Sequence, residues 1–99
     1  MSEERLYGVR TGSIQAVAAV LAAHLGCGFE ERDSDFLGEY LLARIGSGEL
    51  SVVEQPDPEG EPLEGDFEDY HVLIYSPADL GGREIRDLRV GDDAVEVLR

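Results

Sequence analysis

The stretch Tyr70-His71-Val72-Leu73-Ile74-Tyr75 constrains the fold of this chain more than any other. It is almost continuously apolar, rich in β-branched and aromatic residues, and closed by Pro77. A strand exposed on one side alternates apolar with polar residues, so a run like this one reads as a central strand. The rest of the chain must supply its neighbours.

Leu6 to Arg10 reads as a short first strand, and Thr11-Gly12-Ser13 punctuates it. Ser13 suits the N-cap of a helix that runs to about Leu25. Ile14, Val17, Leu21 and Leu25 form one apolar stripe at helical spacing. Ala16, Ala18, Ala19, Ala22 and Ala23 keep the remaining faces slim, so the helix can lie close on a sheet, and Gly26 and Gly28 end it. Phe29 to Asp33 reads as a strand that is polar on one side. Ser34 to Ile45 fits two readings. Phe36, Leu37, Tyr40, Leu41 and Ile45 match helical spacing behind a Ser34 cap, whereas Gly46-Ser47-Gly48 followed by Leu50-Ser51-Val52-Val53 matches a turn between two strands. The hairpin is the favoured reading.

Beyond the central strand, Ala78 to Leu88 fits a weak helix with Leu80, Ile85 and Leu88 inward, although Gly81-Gly82 weakens its first turn. Gly91-Asp92-Asp93 reads as a turn, and Ala94 to Leu98 as a last strand with Val95 and Val97 on one side. No internal repeat or linker divides the chain. The expected fold class is α+β: a single domain over residues 1–99, mainly antiparallel sheet with one or two helices packed on one face.

Charge bounds the function. Twenty-two acidic residues stand against eight basic ones, a formal net charge of -14 over 99 residues. Such a surface repels nucleic acid and anionic membranes and attracts cations and basic proteins. The hydrophobic fraction of 42% is nevertheless that of a folded domain. All eight basic residues are arginines, and lysine, asparagine and tryptophan are absent, which suits the coding bias of a GC-rich bacterial genome. Cys27 is the single cysteine, so no intrachain disulfide forms, and a reducing cytoplasm is the expected compartment. The apolar run from Ile14 to Leu25 has the length of a signal-peptide core, and Gly26-Cys27 follows it. Glu3 and Glu4 beside Arg5 and Arg10 do not make a basic leader, however, and His24 stands where a lipoprotein site needs an aliphatic residue. The run also falls short of the about 20 apolar residues a bilayer crossing requires. An amphipathic helix is the preferred reading.

Residues 56–69 form an acidic loop by composition, since prolines, glycines and carboxylates break any ladder. With Glu54 in front, Asp57, Glu59, Glu61, Glu64, Asp66, Glu68 and Asp69 follow one another with no basic residue between them. Their summed field would speed encounter with a cationic partner; the plainer reading is a solvated loop that aids solubility. Asp57, Glu59 and Glu61 alternate around Gly60, but the glycine comes too early for an EF-hand, prolines intervene and no helices flank the loop. His24, His71 and Cys27 lack metal-ligand spacing, and a lone cysteine at a helix end is an ordinary structural residue. Asp33, Asp35 and Glu39, or Glu68 and Asp69, have the chemistry of acid/base pairs, yet paired acids are expected by chance in so acidic a chain. Gly12-Ser13 near Arg10 lacks the glycine pattern of a phosphate loop and fits an N-cap better. The expectation is a protein without catalytic residues, metal or cofactor.

Asp33-Ser34-Asp35-Phe36-Leu37-Gly38-Glu39-Tyr40, the acidic Pro/Glu loop and Asp69-Tyr70-His71-Val72-Leu73-Ile74-Tyr75 together resemble small acidic immunity-type proteins of bacterial toxin–immunity systems, especially those of actinobacteria. The likeness covers about the middle half of the chain, in a functional class that spans many folds. It implies a non-enzymatic, cytoplasmic inhibitor that binds a basic toxin domain and blocks it. In that reading the loop carboxylates from Glu54 to Asp69 steer the partner, and Phe36, Tyr40 and Phe67 anchor it. The alternative is a general interaction or regulatory module, including a homodimer built on an exposed sheet edge; a small enzyme or ligand-binding protein is a third class.

Overall fold

The computed structural model describes residues 4–35, 38–46, 48–55, 59–77, 80 and 83–99. Strand β1 (Glu4–Val9) leads into helix α1 (Ile14–Leu25), and β2 (Glu30–Ser34), β3 (Gly38–Ile45) and β4 (Gly48–Glu54) form a meander. A loop with one 3₁₀ turn (Gly65–Phe67) precedes β5 (Val72–Pro77). Short strands β6 (Arg89–Val90), β7 (Asp93–Ala94) and β8 (Glu96–Val97) complete the chain. The main sheet has six strands in the order β2-β3-β4-β5-β1-β8, and its paired neighbours are antiparallel. The fold class is α+β, with one helix packed against a mainly antiparallel sheet. No helix among the described residues is long and apolar enough to cross a membrane.

Both ends of α1 follow from local chemistry. Ser13 is extended, and its hydroxyl accepts the Ala16 N–H at 3.1 Å. Gly26 takes the left-handed conformation (φ 67°), and its N–H donates to the Ala22 carbonyl. Ile14, Val17, Ala18 and Leu21 are buried against the sheet. Residues 38–45 follow the hairpin reading. Across β3 and β4, Leu41 pairs with Val52 and Ala43 with Leu50, so one face of the hairpin is buried under the helix.

The sheet is covered on both faces, which accounts for the unbroken apolar run of β5. Val72 and Ile74 point into the helix-side core with Tyr7, Val9, Leu41, Leu50 and Val52. Leu73 points the other way, into a second core with Leu6 and Val53. Leu63, Phe67, Tyr70 and Leu98 pack on that second core. The loop ahead of β5 therefore serves as a layer of the fold.

Three sequence expectations need correction. The described part of the Ala78–Leu88 segment, Leu80 and residues 83–88, is not helical. Asp87 has φ 69°, a left-handed conformation that no α-helix interior accommodates. Leu80 and Ile85 are buried all the same, in the helix-side core. The last strand is interrupted at Val95, whose N–H donates to the Leu88 carbonyl, so Val95 is 0% exposed while Val97 is 38% exposed. The two valines do not share a face. The central strand begins at Val72, and Tyr70 and His71 lie ahead of it.

Candidate protein-binding surface

The acidic loop is organised from one buried amide. Gln55 follows β4 and is 2% exposed. Its Nε2 donates to the Phe67 and Tyr70 carbonyls, both at 2.6 Å. Its Oε1 accepts the Leu63 N–H at 3.0 Å and the Glu64 N–H at 3.2 Å. An amide side chain offers two hydrogens and two lone pairs, and all are used here. Each satisfies a loop peptide group beside the second core, the Phe67 carbonyl accepting from the Tyr70 N–H as well. The Glu64 carbonyl accepts the Phe67 N–H, and the Phe67 carbonyl accepts the Tyr70 N–H, closing the 3₁₀ turn.

Side chains then press the loop onto the sheet. Phe67 and Tyr70 meet edge to face, with centroids 6.4 Å apart. The Tyr70 ring covers Gly8 of β1, where a Cβ would stand 2.9 Å from the ring. Arg10 lies over the Tyr70 ring at 4.6 Å and pairs with Glu96 at 3.4 Å, while the Tyr70 hydroxyl donates to Glu96 at 3.0 Å. Glu64 accepts from the Tyr75 hydroxyl at 2.9 Å and from Arg99 at 2.7 Å. Burial, reinforced by Glu64, pushes the Tyr75 phenol well above its ordinary pKa.

The candidate residues thus fall into two groups. Glu54, Glu59, Glu61, Asp66, Glu68 and Asp69 are exposed, the last three on the stretch of backbone that Gln55 holds. Glu54 also stands 3.3 Å from His71 Nε2. Glu64 is drawn inward, with its side chain 19% exposed. Tyr40 and Phe67 are brought together as half-buried members of the second core. Phe36 and Asp57 lie outside the described residues. Sequence reading missed Gln55 altogether. Its one signal was a neutral amide at the junction between an apolar strand and a run of carboxylates.

The residues weighed for other chemistry have structural partners. Ser13 caps α1, and Arg10 is engaged by Tyr70 and Glu96, so the turn at residues 10–13 serves the fold. His24 Nε2 donates to the Glu84 carbonyl at 2.8 Å, and Arg83 donates to the His24 carbonyl at 3.0 Å, tying the 83–85 segment to the helix end. Cys27 is half-buried, and burial pushes its thiol pKa up, away from the reactive thiolate. Among the described residues, no three His, Cys, Asp or Glu side chains gather in a way that could hold a metal ion.

Two shallow grooves flank the β2 edge. One is lined by Ile14, Gln15, Glu31, Arg32, Asp33, Glu39, Tyr40 and Leu41, and the other by Gly28, Glu30, Arg32, Leu42 and Arg44. Neither contains His24, Cys27 or His71. No protein family, curated protein or solved structure matches this chain.

Proposed function

We propose that this protein is a non-enzymatic binding protein, an immunity-type inhibitor that neutralises a basic bacterial toxin domain in the cytoplasm. One observation carries the reading: the exposed carboxylates Asp66, Glu68 and Asp69 sit on a backbone pinned by four hydrogen bonds to Gln55, with Glu59 and Glu61 exposed just ahead of it. The hydrogen bonds that close this layer over the second core also fix where those carboxylates stand. Charges held on an ordered loop attract a basic partner over a distance and lose little conformational entropy when it docks. Glu54, Glu59, Glu61, Asp66, Glu68 and Asp69 steer the partner, while the exposed parts of Tyr40 and Phe67 supply apolar contact beside them. Cys27, alone in the sequence, suits a reducing compartment.

A homodimer fits less well. Two copies each carrying a net charge of -14 repel one another. The direct test is capture of partners from an extract of the producing cells at low and moderate salt, with the bound proteins identified by mass spectrometry. The proposal expects one basic protein to survive moderate salt. Recovery of only a salt-sensitive mixture of basic proteins would contradict it.

A further inference from the structure

The main sheet ends in two unlike edges. At one, β8 contributes two residues, paired to Tyr7 and Gly8 of β1. At the other, β2 runs for five residues, and among the described residues no strand lies outside it. Residues 30–33 of β2 are all exposed. An open edge of this length presents backbone donors and acceptors to any extended chain.

Side chains along β2 select what can pair with that edge. Glu31 pairs with Leu41 and Asp33 with Glu39, which places these carboxylates on the helix side of the sheet. There they border the groove floored by Ile14 and Leu41. On the opposite side, Glu30 and Arg32 neutralise each other at 2.9 Å. Self-pairing is disfavoured: an antiparallel two-fold centred on Arg32 sets Arg32 against Arg32 and Glu31 against Asp33. An acidic strand is repelled on the helix side. A strand with Lys or Arg at alternate positions is attracted there, with each aliphatic stem on the groove floor and each cationic head among Glu31, Asp33 and Glu39.

The geometry points to β2 as the docking edge for an extended segment of a basic protein, added antiparallel or parallel to the sheet and carrying a cation at every second residue. This inference rests on the basic-partner reading above and adds where and how the partner docks: the edge strand makes the backbone contacts, and the acidic loop raises the encounter rate.

An alternating lysine–valine hexapeptide probes the edge directly. Backbone amide resonances of the whole protein are followed during titration with this peptide, with its glutamate–valine counterpart, and with lysine–valine peptides N-methylated at every second residue in either phase. Expected are shifts and slowed amide exchange at Glu30, Glu31, Arg32 and Asp33, and no response to the glutamate peptide. Methylation in one of the two phases should weaken binding at least about tenfold, since several backbone hydrogen bonds are lost together. The double substitution Glu31→Lys with Asp33→Lys should reverse the preference between the two peptides. Shifts confined to residues 59–69 and indifferent to methylation would overturn the edge inference while leaving the basic-partner reading intact. No shift at low salt would also overturn it, and the captured-partner experiment then judges that reading independently.

Discussion

Glu64 accepts a hydrogen bond from the Tyr75 hydroxyl at 2.9 Å, so one carboxylate of the acidic loop belongs to the fold and not to the solvent-facing set. Arg99 reaches the other oxygen at 2.7 Å. Neutralising Asp66, Glu68 and Asp69 together should leave stability within about 0.5 kcal/mol of the parent, as surface substitutions do, or raise it slightly by relieving repulsion. Adding Glu64→Gln keeps an acceptor for Tyr75 but removes the charge opposite Arg99, at a further cost of about 1 kcal/mol. Urea midpoints of the triple and quadruple variants separate the two effects.

Gln55→Ala should be far more damaging. It removes four hydrogen bonds at once and takes this partner from the Leu63 and Glu64 N–H groups and the Tyr70 carbonyl, while the Phe67 carbonyl keeps the Tyr70 N–H. A loss of about 2–4 kcal/mol is expected, reduced to the extent that water enters the vacated space. Amide exchange should accelerate at residues 63–70 while the α1 amides keep their relative protection.

Gly8 and Gly28 make a matched pair. A Cβ at Gly8 meets the Tyr70 ring at 2.9 Å and Leu98 at 2.7 Å, so Gly8→Ala must displace the Tyr70 ring and the Leu98 side chain. It should cost about 1–3 kcal/mol, the usual range for overpacking. At Gly28 nothing lies within 4 Å of the added Cβ, and Gly28→Ala should be neutral or slightly stabilising. Thermal melts of the two variants test the contrast.

Alkaline pH should loosen the domain through its tyrosines. Burial raises the phenol pKa of Tyr7, Tyr70 and Tyr75, with Glu84, Glu96 and Glu64 respectively adding to the effect. A phenol whose pKa is higher in the folded than in the unfolded state contributes its full stability below the unfolded value, near 10, and loses it as pH rises toward the folded value. Urea midpoints should therefore fall as pH climbs above about 10, and Tyr75→Phe should reduce the slope.

The elements legible in sequence were those set by local chemistry. Ser13 and Gly26 fixed the ends of α1, the glycines Gly46 and Gly48 favoured the hairpin over a helix, and Val72 to Tyr75 announced a strand buried on both faces. What covers the second face was not legible. Leu63, Phe67 and Tyr70 are scattered among prolines, glycines and carboxylates with no period, and their burial depends on Gln55, a long-range contact that composition hides. The segment ending at Leu88 misled for the opposite reason: Leu80, Ile85 and Leu88 have helical spacing, but Asp87 turns the chain the wrong way. Glu64 was indistinguishable in sequence from its exposed neighbours because its role comes from Tyr75 and Arg99, both distant along the chain.

The central claim, that the ordered carboxylates of the loop recruit a basic partner, is tested most directly by association kinetics. The captured basic protein is mixed with the parent and with the Glu59→Gln/Glu61→Gln/Asp66→Asn variant over a range of salt concentrations. The account predicts an association rate that falls steeply with salt for the parent, and a variant that associates about tenfold more slowly at low salt with a flatter dependence and a nearly unchanged dissociation rate. Equal association rates and equal salt slopes for the two proteins would contradict it.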